Sequence, residues 1–187
     1  MSTTGPRGSV RIVGGRLRGS RLPVAAQPGM RPTPDRVRET LFNWLQPVID
    51  GARCLDLFAG SGALGLEAVS RGAVQVLMVE RDPALARALR EQAERLLAAE
   101  AEILCTDALA LLRGPATPAF DVVFVDPPFG QALWAPVLDA LPAWLRPGAL
   151  VYVESPVDAA LEPPRGYALH REGRTRETRY ALYRYGP

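Results

Sequence analysis

From residue 52 onward the chain alternates short apolar runs with helical patterns, and this alternation restricts the fold more than any other feature. The strand-like runs are Arg53–Phe58, Val74–Val79, Ala101–Cys105, Phe120–Val125 and Leu150–Glu154. Between them, Ala63–Arg71, Pro83–Ala98, Ala108–Leu112 and Ala132–Leu145 read as helices. Several of the runs are continuously apolar, as parallel strands buried on both faces must be. Repeated βα units predict an α/β fold with a doubly wound, parallel sheet. Two later runs, Tyr167–Arg171 and Arg179–Tyr185, have only the polar link GRTRET between them. They predict an antiparallel hairpin at the sheet edge, making a mostly parallel sheet of seven strands.

Upstream, Thr33 is the expected cap of a helix, with Pro34 at its first position and Asp35 at its positive end. Val37, Leu41, Trp44, Leu45 and Val48 recur at helical spacing, Arg36 and Glu39 lie opposite, and Gly51 closes the segment. Before this helix, residues 1–31 carry Arg7, Arg11, Arg16, Arg18, Arg21 and Arg31 and no acid. Val10–Val13 and Arg16–Leu22 flank Gly14-Gly15, a pair that suits a tight hairpin turn. The expected division is a basic hairpin arm at 1–31 and a body at 32–187. The net charge of the 187 residues is only +2, so the cluster in the arm suggests a nucleic-acid contact rather than general basicity. A solvated basic tail is the plainer alternative.

No apolar run reaches the ~20 residues of a membrane helix, and MSTTGPRGSV lacks the apolar core of a signal peptide. A cytoplasmic protein without a membrane partner is expected. Cys54 and Cys105 fall in strand-like runs and read as buried thiols. With His170 as the one histidine, they cannot complete a four-ligand zinc site without carboxylates, so no metal is expected.

Four motifs fall at successive strand ends. Asp56-Leu-Phe-Ala-Gly60-Ser-Gly62 follows the first strand and opens a helix. Gly60 and Gly62 allow close backbone approach to a ligand, and the helix end offers N–H groups and partial positive charge. Asp56 would repel phosphates but suit a cationic ligand such as S-adenosylmethionine, whose carboxylate can use the helix end. Glu80 closes the second strand, where a carboxylate accepts from ribose hydroxyls. Asp107 ends the third, where it can accept from an adenine amino group with Ala108 adding backbone contacts; a helix cap is an equal reading for it.

The fourth motif, Asp126-Pro127-Pro128-Phe129, points to the reaction. Two prolines fix φ and remove two N–H donors, leaving a stiff loop dominated by acceptors. The Asp126 carboxylate and the Pro127 carbonyl can hold both hydrogens of a planar amino group, and Phe129 offers a face for a base to stack on. Such hydrogen bonds favour a pyramidal nitrogen whose lone pair points at a methyl donor. An ionised Asp126 is expected. A rigid turn is the alternative reading.

The chain resembles class I (Rossmann-like) methyltransferases in its sheet with a terminal hairpin. In its runs RIVGGRLRGSRLP, RPTPDRVRETLFNWL, CLDLFAGSGALGLEA, VFVDPPF and VYVES it resembles the bacterial 16S rRNA guanine-N2 methyltransferase family, the ribosomal small-subunit methyltransferase D type. The likeness spans almost the whole chain. It implies methylation of a guanine N2 amino group, with an assembling small ribosomal subunit and its bound ribosomal proteins as substrate and a monomeric enzyme. Carried over by position, Asp126, Pro127 and Phe129 form the amine grip, and Asp56, Phe58, Gly60, Gly62, Glu80, Arg81, Asp107 and Ala108 the cofactor site. Arg31, Thr33 and Arg38 fall in the block beside the target entrance, and Arg16, Arg18 and Arg21 on the arm are the expected RNA contacts. One departure is Gln92 where relatives often carry Asn.

An adenine-N6 methyltransferase shares the same loop chemistry and is the nearest rival. An RNA-binding assembly factor would not need Asp56, Glu80 and the proline loop together. A nicotinamide enzyme fits the spacing Gly60-x-Gly62-x-x-Gly65 but not the preceding acid.

Overall fold

The computed structural model describes residues 8–24, 33–116 and 120–186. Arg7 and Arg31 lie outside them. The main sheet has seven strands in the order β5-β4-β3-β6-β7-β9-β8. β3 (Arg53–Asp56), β4 (Gln75–Glu80), β5 (Ala101–Cys105), β6 (Phe120–Val125) and β7 (Leu145–Pro156) run parallel. β9 (Thr178–Tyr185) adds antiparallel to β7, and β8 (Tyr167–Arg174) adds antiparallel to β9. The order reverses between β3 and β6, the switch point beyond whose strand ends such sheets bind ligands.

Helices cover both faces. Neighbouring strand residues point to opposite sides. Cys54, Phe124 and Tyr152 face a core shared with α1 (Asp35–Ile49), α2 (Ala63–Ser70) and α3 (Pro83–Arg95). Leu55, Val125 and Val153 face the other, with α4 (Ala108–Leu112), α5 (Trp134–Ala140) and the 3₁₀ turn Leu141–Trp144. This burial on both sides is what the continuous apolar runs require.

The N-terminal hairpin differs from its expected form. Its strands are β1 (Gly8–Arg11) and β2 (Arg21–Val24), and Gly14-Gly15 is not a two-residue turn between them. The connecting segment docks on α2 instead. The Val13 and Gly14 N–H groups donate to the two oxygens of Glu67 at 2.8 Å each, and Arg16 N–H donates to the Ser70 carbonyl at 2.8 Å. Gly15 has φ +73°, and a Cβ there would lie 1.8 Å from that carbonyl oxygen, so close approach to α2 demands glycine. Val10, Ile12 and Leu22 join the core beneath α1 and α2.

Other boundaries shift for local reasons. Thr33 does not cap α1; Pro34 holds the cap position with no side-chain hydrogen bond. Phe42 and Ile49 complete the buried stripe of α1, whereas Val48 is exposed. Cys54 is buried as expected, but Cys105 is exposed on edge strand β5. The hairpin strands β8 and β9 reach into the polar GRTRET link, so the turn is shorter than its composition suggests.

Candidate active site

A cavity of about 550 Å³ opens at the carboxyl ends of the parallel strands. Asp56, Phe58 and Gly60 line it from the loop after β3, and Glu80 and Arg81 from the end of β4. Asp107 and Ala108 line it after β5, and Asp126, Pro127 and Phe129 after β6. Four motifs dispersed over residues 56–129 thus converge because parallel strands place all their carboxyl ends on one edge.

Asp56 is buried and accepts the Gly65 N–H at 3.0 Å through Oδ2. One of the helix-end donors, the Gly65 N–H, is therefore taken by a protein carboxylate. Burial raises the Asp56 pKa to about 7, helped by the negative charge of Glu80 and opposed by the N–H groups of Gly65 and Phe58. Gly62 does not line the cavity. It caps α2 at φ +80°, and a Cβ there would meet Leu89 Cδ2 at 2.7 Å, so its constraint is core packing rather than ligand approach. Glu80 accepts from Gly60 N–H at 3.0 Å and from Asp82 N–H at 2.8 Å. Asp107 caps α4 through the Ala110 N–H and also lines the cavity.

At the other end of the cavity, Thr33 is buried beside the proline loop. Its hydroxyl lies 3.1 Å from Glu154 Oε2 and 3.4 Å from Asp126 Oδ2. The Tyr152 hydroxyl donates to the same Glu154 oxygen at 2.9 Å, and Trp134 Nε1 donates to the Glu154 carbonyl at 2.8 Å. Burial, then the negative charges of Glu154 and Asp56, push the Asp126 carboxyl well above the usual carboxylate range. Burial also raises Glu154, against the Tyr152 and Thr33 hydroxyls that stabilise its anion. Burial and the neighbouring negative charges thus favour the neutral form of Asp126, which runs against the expectation of an ionised carboxylate. Phe129 is 43% exposed at the cavity mouth, its ring centroid 6.3 Å from that of Trp134.

Arg38, expected to contact RNA, is fully buried. Its guanidinium donates to the carbonyls of Thr33 and Arg11 and pairs with Asp35 and, at 3.5 Å, with Glu67. It joins the hairpin, α1 and α2 to the Thr33 backbone and cannot reach a polynucleotide. Arg16, Arg18 and Arg21 are exposed and do not line the cavity; Arg16 pairs with Glu100 at 2.7 Å.

Sequence reasoning missed Glu154 and the β8–β9 turn, whose Thr175, Arg176, Glu177 and Thr178 also line the cavity. Glu154 had a usable signal, since it too is an acid ending a parallel strand. Among the described residues no group of three or more His, Cys, Asp or Glu side chains could hold a metal, and no helix is long and apolar enough to cross a membrane.

Fold and strand-edge motifs together are those of the class I methyltransferases. The family described as Conserved hypothetical protein 95 matches residues 10–184. A relative from Escherichia coli strain K12, ribosomal RNA small subunit methyltransferase D, is 48% identical over 94% of this chain and 90% of its own length. The solved structure of yhhF from Escherichia coli superposes with a TM-score of 0.86 at 46% identity, covering 96% of this chain and 99% of that one. A likeness of fold alone, with a TM-score of 0.65 at 19% identity over 83% and 94% of the two chains, links it to an RNA methyltransferase from Salinibacter ruber solved with S-adenosyl-L-homocysteine. The chain belongs to the ribosomal RNA small subunit methyltransferase D family.

Proposed function

We propose that the protein transfers the methyl group of S-adenosylmethionine to the exocyclic N2 amino group of a guanine in 16S rRNA. The substrate is an assembling small ribosomal subunit with ribosomal proteins bound, and the enzyme acts as a cytoplasmic monomer. The observation that carries this reading is the convergence of Asp56, Glu80, Asp107 and the Asp126–Phe129 loop on one cavity.

The donor set suits this cofactor. Glu80 would accept from the ribose hydroxyls, Asp107 and Ala108 would meet the adenine edge, and Asp56 would face the cationic end. Phe58 and Arg81 would flank the nucleoside. When bound, the cofactor supplies a methyl made electrophilic by its sulfonium. The chain itself need only orient the nucleophile. Asp126 and the Pro127 carbonyl hold the amine, and Phe129 stacks on the base. Pro127 and Pro128 keep the loop from relaxing. Thr33 serves this site rather than the RNA backbone, while Arg16, Arg18 and Arg21 contact phosphates outside it.

Mass mapping of 16S rRNA from cells with and without the protein tests the reading. One guanine should lose an N2-methyl mark in its absence. Loss of an N6-methyladenine mark instead would transfer the assignment to the rival chemistry.

A further inference from the structure

Methylating an amine releases a proton, and the loop that holds the amine has no basic side chain. Glu154 stands behind it, on the carboxyl end of β7, 5% exposed and lining the same cavity. One hydroxyl, that of Thr33, lies within hydrogen-bond reach of carboxylate oxygens on both Asp126 and Glu154. Tyr152, also buried, donates to the Glu154 oxygen that faces Thr33. The backbone of this small group is held from outside: Arg38 Nε donates to the Thr33 carbonyl, and Trp134 Nε1 to that of Glu154.

We infer that Thr33 and Glu154 complete the catalytic centre as a proton relay behind Asp126, an inference that rests on the amine-methylation reading above. In the transfer a bond forms between nitrogen and the methyl carbon. The bond between that carbon and sulfur breaks, and its electron pair stays on sulfur. The nitrogen is then cationic and loses a proton to Asp126. An Asp126 that already carries a proton passes it through the Thr33 hydroxyl to Glu154, each oxygen giving one proton as it takes another. Starting from one proton, the carboxyl pair ends with two, so its net charge rises from −1 to 0 as the sulfonium charge disappears. The charge summed over sulfur, amine and carboxyl pair is the same before and after, so the reaction adds no charge to the buried site, which is the electrostatic advantage of a shared proton.

The surroundings favour the starting point of this relay, with the proton toward Asp126 and Glu154 open to accept. The Tyr152 and Thr33 hydroxyls favour the Glu154 anion. Asp126 faces the charges of Glu154 and Asp56, which favour its neutral form. Tyr180, on β9, is paired across from Glu154, and Arg176 and Glu177 reach the cavity from the β8–β9 turn. Glu154 touches no reacting atom in this scheme. It is a positioning residue that works through Asp126.

The test is single-turnover methyl transfer to small-subunit particles by the full chain, using Glu154→Gln, Thr33→Val and the double variant. Each single change should slow transfer about tenfold to a hundredfold, with particle KM and cofactor affinity held within about twofold. The double variant should be no slower than the slower single, because members of one relay do not lose independently. Glu154→Asp should recover part of the rate. In ¹³C-carboxyl NMR, Asp126 should titrate at lower pH in Glu154→Gln than in the parent. Multiplicative losses in the double variant, an unshifted Asp126, or a Glu154→Gln enzyme at parental rate would overturn the relay. Tyr152→Phe, which removes only a donor to Glu154, should slow transfer less, and it supplies the comparison if a Glu154 variant folds poorly. Nucleoside analysis of the parent's product keeps the two readings apart. A product methylated at carbon sinks the amine assignment, whereas a methylated amine with an indifferent Glu154 sinks only the relay.

Discussion

Glu80 holds Gly60: its Oε2 accepts the Gly60 N–H at 3.0 Å, so one carboxylate both lines the cavity and fixes the glycine loop opposite. Glu80→Ala should therefore do two things. On the proposed cofactor placement it removes a charged acceptor worth roughly 1.5–3 kcal/mol from the ribose, and it frees the loop. Calorimetry should show S-adenosylmethionine binding weakened about tenfold to a hundredfold. Glu80→Gln, whose single carbonyl cannot accept from both Gly60 and Asp82, should fall between. Parental affinity in Glu80→Ala would place the nucleoside elsewhere.

Asp56 gives a pH dependence with a definite sign. Its folded pKa is raised to about 7 from the ordinary 3.8. Its proton therefore stabilises the free fold most at low pH, and that contribution is lost as pH rises through about 7. A cationic ligand favours the carboxylate, so binding near pH 7 should release protons and tighten with increasing pH. Calorimetry in buffers of different ionisation enthalpy checks this. Asp56→Asn keeps an acceptor for Gly65 and should release fewer protons. Equal release from both proteins would remove Asp56 from the cationic end of the site.

Arg38 should behave as a structural residue. Arg38→Met leaves Glu67 short of one buried partner, a loss of about 3 kcal/mol at the low end for a broken buried pair, because Arg71 still pairs with it. The melting temperature should fall by about 6–12 °C for a domain of this size. The salt dependence of particle binding should stay the same. A stable Arg38→Met protein with a reduced salt slope would return Arg38 to the RNA surface.

The exposed arginines should give the opposite pattern. Converting Arg16, Arg18 and Arg21 to Gln removes up to three phosphate contacts, so the slope of log affinity against log salt should flatten by about 2–3. Stability should hardly change, since the Arg16–Glu100 pair is exposed and such pairs contribute about 0–1 kcal/mol. An unchanged slope would mean that this face does not meet RNA.

The sheet was legible because its signal is periodic and repeated: each apolar run became a strand, and each strand end carried its acid to the same edge. Composition could not show that Arg38 is buried. An arginine among charged neighbours on a helix reads as surface until Glu67 and two carbonyls are found around it. Gly14-Gly15 carries a hairpin signature, yet its close approach is to Ser70 on α2, a contact between positions far apart in sequence. Glu154 was hidden by the same kind of distance. Its neighbours are Asp126, brought close by the parallel pairing of β6 and β7, and Thr33, placed by the segment before α1.

The central claim is that the Asp126–Phe129 loop grips the target amine, and the direct measurement is single-turnover methyl transfer by Asp126→Ala at saturating cofactor. Pro127 and Pro128 should preserve the loop, so folding and cofactor binding should survive. The expected result is a chemical step slowed by roughly 10²–10³, the usual cost of one lost preorganised hydrogen bond, with Asp126→Asn retaining more. Transfer by Asp126→Ala at the parental rate would contradict the grip and leave the loop a structural turn.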